Sequence, residues 1–243
     1  MKEFIKQNNI ENGNEREQEY LSLVDDYFSG IKNINYLSEK VENIVDISIS
    51  DEKNILPTIK DPVIFISNHP RPDRSICIPA SKIQNKKGGN VFGFDNFHYP
   101  LVNQIMLKRL LKRPFSTIAL DVGWREAMEE CGHIIITNGG EDRTNEIMEK
   151  YTHGQSIVIY PEGKSSGNVE VFTFHTGFLR LAKNLGFSKI VLGVSSPLIS
   201  LNDKNSLDVI GSIETPPSNV DLCKFAENIR NYIEKELRKK YKN

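Results

Sequence analysis

The sequence has few cysteines and almost no net charge, and both absences narrow what the protein does. Its three cysteines are odd in number and lie far apart, which favours reduced thiols in a cytoplasmic protein and provides no zinc-ligand spacing. A formal net charge of -1 with 26% charged residues gives no general argument for a nucleic-acid partner. We therefore expect no metal site and no nucleic acid, and we expect any recognition of charge to be local.

Long apolar runs are also missing. No run approaches the roughly 20 residues that a transmembrane helix needs. The first 16 residues are polar and lack the apolar core of a secretion signal. We expect a cytoplasmic protein; if it meets a membrane, we expect peripheral contact on the inner face.

The 243 residues fit one large domain with a small accessory piece. Apolar spacing predicts helices over 17–31 and 36–44, so we expect a helical accessory segment over 1–45 and an α/β domain over 46–243. From residue 63 strands and helices alternate, which predicts a mostly parallel central sheet covered by helices. The predicted strands are 63–67, 90–94, 116–120, 133–137, 155–160, 190–195 and 207–213, and the predicted helices are 73–84, 101–112, 122–131, 143–152, 175–185 and 219–241.

The first informative stretch carries an apolar strand, 63–66, directly into an imidazole at His69. Pro70 and Pro72 exclude a regular helix through His69, and Pro72 is well placed to begin the following helix. His69 is therefore expected at the mouth of a sheet, where α/β proteins keep their reactive groups.

A carboxylate follows four residues later, at Asp73. It is the local candidate for orienting His69 as a base, because such a partner fixes the tautomer and supports the imidazolium. The alternative is that His69 only ends the strand, while Asp73 pairs with Arg71 or Arg74. Residues alone leave both interpretations open.

The second informative stretch is the turn after the predicted strand 155–160. Gly163-Lys164-Ser165 invites a P-loop interpretation, but that motif needs a glycine five positions before Gly163, where Val158 stands. What remains is a glycine-containing loop suited to holding an oxyanion or a phosphate. The alternative is a solvated turn in which Glu162 and Lys164 pair with each other. The loop offers backbone N–H groups, Lys164 and the hydroxyls of Ser165 and Ser166.

Taken together, the two stretches resemble the glycerolipid acyltransferase superfamily, which includes the lysophosphatidic acid acyltransferases. Its hallmarks are Asn-His followed by Asp, and a Phe-Pro-Glu-Gly-Thr-Arg-Ser loop. This sequence has Asn68-His69 with Asp73, and then Tyr160-Pro161-Glu162-Gly163. The later segments 174–182 and 190–194 also resemble the family, so the resemblance spans roughly residues 60–200.

The departures from the family pattern are specific. Asp73 lies one residue closer to His69 than the family pattern has it, and Arg74 occupies the usual position. Lys164 stands where the family has Thr and Ser165 where it has Arg, and the strand block 132–138 lacks its basic residue. Lys164 and Arg143 are candidates to replace the missing cations, although a lysine lacks the bidentate fork of arginine.

The resemblance implies acyl transfer from a thioester, either acyl-CoA or an acyl carrier protein, to a hydroxyl or an amine. A lysophospholipid and a glycerol phosphate are among the candidate acceptors, in phospholipid biosynthesis. His69 would be the general base and Asp73 its orienting acid, with no permanently bound cofactor and no metal. The candidate substrate-binding residues are Arg71, Arg74, Arg143, Glu162, Gly163, Lys164, Ser165 and Ser166.

Other functions stay open at this stage. A tailoring acyltransferase for another small molecule explains the missing cations, and the shortened His-to-Asp spacing motivates a catalytically impaired lipid- or acyl-chain-binding protein. A hydrolase is a further alternative. The cationic, apolar segment 101–113 fits either a membrane-surface helix or an ordinary helix buried on one face. We expect structural or surface roles for the remaining histidines, His98, His133, His153 and His175.

Overall fold

A computed structural model describes residues 15–72, 98–120, 125–136, 143–165 and 168–241. The helix predicted over 73–84 and the strand predicted over 90–94 lie outside these residues. Every other predicted helix and strand is present, with ends shifted by up to three residues. The helices are Glu15–Phe28 (α1), Ile34–Ile44 (α2), Ile55–Thr58 (α3), His98–Leu111 (α4), Arg125–Glu130 (α5), Arg143–Lys150 (α6), Gly177–Asn184 (α7) and Leu222–Tyr241 (α8).

The strands are Ile47–Ser50 (β1), Ile64–Ile66 (β2), Arg71–Pro72 (β3), Phe115–Leu120 (β4), His133–Ile136 (β5), Ser156–Ile159 (β6), Lys189–Ser195 (β7), Leu198–Ile199 (β8) and Asn205–Glu214 (β9). Within the described residues, seven of them form the central sheet in the order β1-β9-β7-β2-β6-β4-β5. Five neighbouring strands, from β7 to β5, run parallel, while β9 is antiparallel to β7 and β1 follows the direction of β9. The predicted mostly parallel sheet is therefore confirmed.

Strand β2 lies in the middle of the sheet, and the side chains of its two faces pack into two different apolar layers. Ile64 and Ile66 belong to one buried cluster, together with residues of α7 and α8. Phe65 belongs to the other cluster, together with residues of α1, α2 and α4. Because side chains alternate across a strand, a strand covered on both faces reads as a continuous apolar run. The N-terminal helices thus share their cluster with the sheet, and the division expected at residue 45 stays a prediction.

Phe65 also requires a glycine on the neighbouring strand. A Cβ added to Gly193 in β7 would lie 2.3 Å from Cζ of Phe65. The pairing of β7 with β9 is irregular at this same point, between Leu192 and Gly193. The buried Phe65 ring therefore occupies the space that any larger residue at position 193 would need.

One local expectation is wrong. Pro72 does not begin a helix: Arg71 and Pro72 form the short strand β3, which pairs in parallel with β8. The backbone N–H of Arg71 donates to the carbonyl of Pro197 at 2.8 Å, and this long-range contact keeps the chain extended. Helix α8 is capped by Asp221. Asp221 Oδ1 accepts from the N–H groups of Cys223 and Lys224, the usual N-cap bonds.

The cationic helix α4 is mainly a packing element. Ten of its fourteen residues are buried. Its exposed Arg109 pairs with Glu42 at 2.6 Å, and the following Arg113 donates to the carbonyls of Leu56, Ile59 and Asp61. These contacts favour the ordinary buried helix over a membrane-surface helix. Among the described helices, none combines the length and the apolarity that crossing a bilayer requires.

Candidate active site

Three neighbouring parallel strands end at one edge of the sheet. Strand β2 pairs on one side with β6 and on the other with β7. Asn68 and His69 follow β2, the turn 160–163 follows β6, and Ser195 ends β7. The carboxyl ends of adjacent parallel strands bring their loops together, and ligands of α/β proteins bind there. The two motif loops therefore meet at this edge.

Glu162 joins the loops directly. Its Oε1 accepts a 2.6 Å hydrogen bond from the backbone N–H of His69, and its Oε2 accepts a 2.7 Å bond from the N–H of Phe172. The Glu162 carboxylate is therefore bound by backbone N–H groups and does not pair with Lys164. Instead, the Lys164 ammonium lies 4.4 Å from the centre of the Phe172 ring. Glu162 is buried, with 2% of its surface exposed, so it acts inside the structure rather than on its surface.

Burial shifts the protonation equilibrium of the Glu162 carboxyl toward its neutral form. It raises the pKa of this carboxyl to about 7, while the two N–H donors and the positive charge of Arg230 oppose the rise. Arg230 lies on α8, donates to the carbonyl of Val171 at 2.9 Å and pairs with Glu234 at 2.6 Å. The C-terminal helix thus supports the segment that Glu162 holds.

Asn68 fixes the other side of the His69 loop. Its Nδ2 donates to the carbonyl of Ser195 at 3.1 Å, and its Oδ1 accepts from the N–H of Ser195 at 2.8 Å. All of these groups are buried. Because a primary amide carries both a donor and an acceptor, it can pair with both backbone groups of one residue. The loop of His69 is consequently tied to β7 as well as to Glu162.

The ring of His69 has a defined tautomer. Its Nδ1 lies 2.9 Å from the carbonyl oxygen of Pro70. Since a carbonyl oxygen only accepts, Nδ1 carries the proton, and Nε2 of the neutral ring is the acceptor. Burial lowers the pKa of His69 below its usual 6.5, against the effect of the Pro70 hydrogen bond. The ring is therefore an unprotonated base at neutral pH.

Two tyrosines pack against the His69 ring. The Tyr99 ring is nearly parallel to it, at 12° with 5.9 Å between the ring centres, and the Tyr160 ring lies 5.0 Å away at 56°. The Tyr160 hydroxyl donates to Oδ1 of Asn103 at 2.6 Å. The buried hydroxyl of Tyr99 has no hydrogen-bond partner among the described residues.

The structure places several other predicted site residues. Arg71 and Lys164 are exposed, and Ser165 is partly exposed. Gly163 has φ +65°, a conformation that favours glycine. A Cβ added to Gly163 would lie 3.5 Å from the His175 ring. This histidine, for which we expected a structural or surface role, therefore borders the loop.

The remaining predicted residues lie outside the described part of the chain. They are Asp73, Arg74 and Ser166; Arg143 begins α6, but its side chain is not described. The pairing of His69 with Asp73 therefore stays a prediction. The structure adds residues that the sequence did not single out, namely Tyr99, Asn103, Ser195 and Arg230. One signal was available: Tyr160 stands where the family block has Phe, and a buried hydroxyl needs a partner.

The chain is similar to known proteins in both sequence and fold. Residues 101–195 match the family model Acyltransferase, a segment that contains the Glu162 turn and Ser195 but not His69. No curated protein matches the chain significantly. Among solved structures, the 1-acyl-sn-glycerophosphate (LPA) acyltransferase PlsC from Thermotoga maritima is 12% identical, with a TM-score of 0.55. The match covers 92% of this chain and 94% of that one.

At this identity the structural likeness concerns the fold, and the family model matches 95 of the 243 residues. The segment that matches the family model includes the sheet edge at which the Glu162 turn follows β6. The chain therefore contains a segment similar to the Acyltransferase family model, within a fold like that of this LPA acyltransferase.

Proposed function

We propose that this protein is an acyltransferase, and that it moves a fatty acyl group from a thioester to a hydroxyl or amine acceptor at the edge formed by β2, β6 and β7. One observation carries the proposal: the 2.6 Å hydrogen bond from the His69 N–H to Glu162. It joins the loop that bears the candidate base to the loop suited to holding an anion. A base and an anion-binding loop side by side are the parts that acyl transfer to a phosphorylated acceptor needs.

His69 acts as the general base. Its unprotonated Nε2 takes the proton of the acceptor O–H or N–H while the acceptor atom attacks the thioester carbonyl carbon. A new C–O or C–N bond forms, and the carbonyl oxygen becomes an oxyanion. The intermediate collapses by breaking the C–S bond, and the thiolate leaves as a thiol after receiving the proton from His69. No oxidant, reductant or other reactant enters the balance.

Asp73 orients this base in our proposal. Its carboxylate accepts from the Nδ1–H that also faces the Pro70 carbonyl, and so stabilises the imidazolium when the proton arrives. Glu162 has a different role from the one its motif suggested. Both of its oxygens are bound by backbone N–H groups, so we assign it to positioning the two loops rather than to touching substrate.

The acyl donor is acyl-CoA or an acyl carrier protein thioester, and the acceptor is a lysophospholipid or a glycerol phosphate. Lys164 is the favoured phosphate ligand, because it is exposed on the turn beside Glu162. Further contacts are proposed for Arg71, Arg74, Arg143, Gly163, Ser165 and Ser166. These substrates place the protein in phospholipid biosynthesis, in the cytoplasm or on the inner membrane face. An amine or hydroxyl of another small molecule is the second acceptor class, favoured by Lys164 and Ser165 in place of Thr and Arg.

The test combines purified protein with an acyl-CoA or an acyl carrier protein thioester. Glycerol 3-phosphate, a lysophospholipid or a simple amine is supplied as acceptor, and both free thiol and acylated product are measured. We expect thiol release that depends on an acceptor, with one acylated acceptor formed per thiol. Thiol release with free fatty acid and no acceptor dependence would instead identify a hydrolase. Tight acyl-chain binding without release would favour the lipid-binding function.

A further inference from the structure

The hydroxyl of Tyr99 is a buried polar group with no hydrogen-bond partner among the described residues. Leaving such a group unpaired is unfavourable, so most buried hydroxyls find a partner. The Tyr160 hydroxyl nearby has one, because it donates to Asn103. The missing hydrogen-bond partner of the Tyr99 hydroxyl is explained if the bound substrate supplies it.

Tyr99 lies at the proposed base. Its ring stacks on the ring of His69, at 12° and with 5.9 Å between the centres. Its hydroxyl is also near enough to Tyr160 and to the Glu162 carboxylate for their charges to affect it. Both of these residues border His69, since Tyr160 packs on its ring and Glu162 binds its N–H. The unpartnered hydroxyl thus belongs to the same end of the sheet as the reacting groups.

The Tyr99 hydroxyl keeps its proton and is therefore always able to donate a hydrogen bond. Burial, together with Tyr160 and Glu162, raises the pKa of Tyr99 well above its usual 10. A phenol in this state keeps its proton at every pH at which an enzyme works. It therefore makes a poor proton donor in the acid–base sense and a good hydrogen-bond donor, and in a dry site such a bond to a developing negative charge is strong.

We propose that the Tyr99 hydroxyl donates a hydrogen bond to the carbonyl oxygen of the acyl thioester and stabilises the oxyanion of the tetrahedral intermediate. The inference rests on the proposed acyl transfer. No proton leaves Tyr99 in this step: the carbonyl oxygen gains negative charge as the acceptor attacks, and it loses that charge when the C–S bond breaks. Tyr99 is thereby a catalytic residue, while His69 alone moves the proton.

Tyr99→Phe tests this role, because it keeps the ring that stacks on His69 and removes only the hydroxyl. Removing one oxyanion donor typically lowers kcat by about 100- to 1000-fold. We expect a loss of about 100-fold in kcat for thiol release, with KM changed less than about threefold, since the bond forms mainly in the transition state. Tm should stay level or rise, because the free protein loses an unpaired buried group.

Tyr20→Phe is the matched control. The Tyr20 hydroxyl is also buried and unpartnered among the described residues, but it belongs to α1, where its ring meets His98 edge-on with 6.3 Å between centres. We expect this variant to keep the wild-type kcat. A Tyr99→Phe protein that keeps the wild-type kcat overturns the inference, whether or not its Tm falls or its KM rises. Wild-type protein that releases no thiol from any donor overturns the proposed function itself, and this inference with it.

Discussion

The backbone N–H of His69 and the carboxylate of Glu162 are 93 positions apart in the chain and 2.6 Å apart in space. The second carboxylate oxygen holds the N–H of Phe172. One buried side chain therefore fixes the relative position of the proposed base and of the turn after β6. Small displacements at a reacting centre are expensive: a shift of about 1 Å can cost roughly 100-fold in rate.

Glu162→Gln should impair catalysis through this geometry. The amide oxygen accepts one backbone N–H, but the amide nitrogen faces the other donor, so one of the two bonds is lost. We expect kcat/KM to fall about 10- to 100-fold as the loops separate. Steady-state kinetics check this, with Glu170→Gln as the control: Glu170 is exposed on the same segment and should be silent. Equal activity in wild type and Glu162→Gln would show that the carboxylate does not hold the site.

The same carboxyl predicts a pH dependence of stability. Its pKa is about 7 in the folded protein against about 4.5 in the unfolded chain, so between these values the folded state binds more protons. Glu162 therefore contributes most to stability below about pH 4.5, and this contribution is lost as pH rises to about 7. Urea unfolding at several pH values should show the free energy of wild type falling relative to Glu162→Gln across that window. A difference that rises, or stays constant, contradicts the predicted direction.

Gly193→Ala should destabilise the fold. Its new Cβ would lie 2.3 Å from the fully buried Phe65 ring, which has no free space to move into. Overpacking of this kind costs about 1–3 kcal/mol. Gly211→Ala in β9 is the matched control, because a Cβ there meets Tyr232 at an ordinary 3.7 Å. Urea unfolding of both variants decides: equal free energies of unfolding would mean that β2 and β7 are not packed as described.

Lys164→Ala should selectively weaken the binding of a phosphorylated acceptor. Its ammonium stands over the Phe172 ring on the turn beside Glu162, and loss of one charge-assisted contact should raise KM for that acceptor about tenfold. KM for the thioester should not change. Lys60→Ala is the control, since Lys60 is exposed before β2 and therefore near the opposite edge of the sheet. Unchanged kinetics with a phosphorylated acceptor would show that Lys164 does not bind the phosphate.

Much of the fold could be predicted from local patterns. The apolar run 63–66 predicted a buried strand, and β2 is indeed covered on both faces; the long helix predicted over 219–241 is present as α8. The extended path at Pro72 could not be predicted, because it depends on Pro197 and β8 at the far end of the chain.

The site was predictable only in part. The motifs indicated His69 and the turn at Glu162, and parallel strand pairing brings these together. What the motifs could not indicate was the use of each group: Glu162 binds backbone, Lys164 meets an aromatic ring, and Tyr99 stacks on the histidine. The Tyr99 contact joins segments 30 positions apart, and the contacts with Phe172 depend on how the chain folds back after the turn; no motif spacing encodes either arrangement.

The most direct measurement is acceptor-dependent thiol release by His69→Ala beside wild type, with His153→Ala as the control on an exposed histidine. The substitution removes the ring but keeps the backbone N–H that binds Glu162, so the loops should stay joined, while the lost packing against Tyr99 and Tyr160 should lower Tm. Loss of a general base predicts a rate about 100- to 10,000-fold lower in His69→Ala and unchanged in His153→Ala. A His69→Ala protein that releases thiol at the wild-type rate would contradict the assignment of His69 as the base.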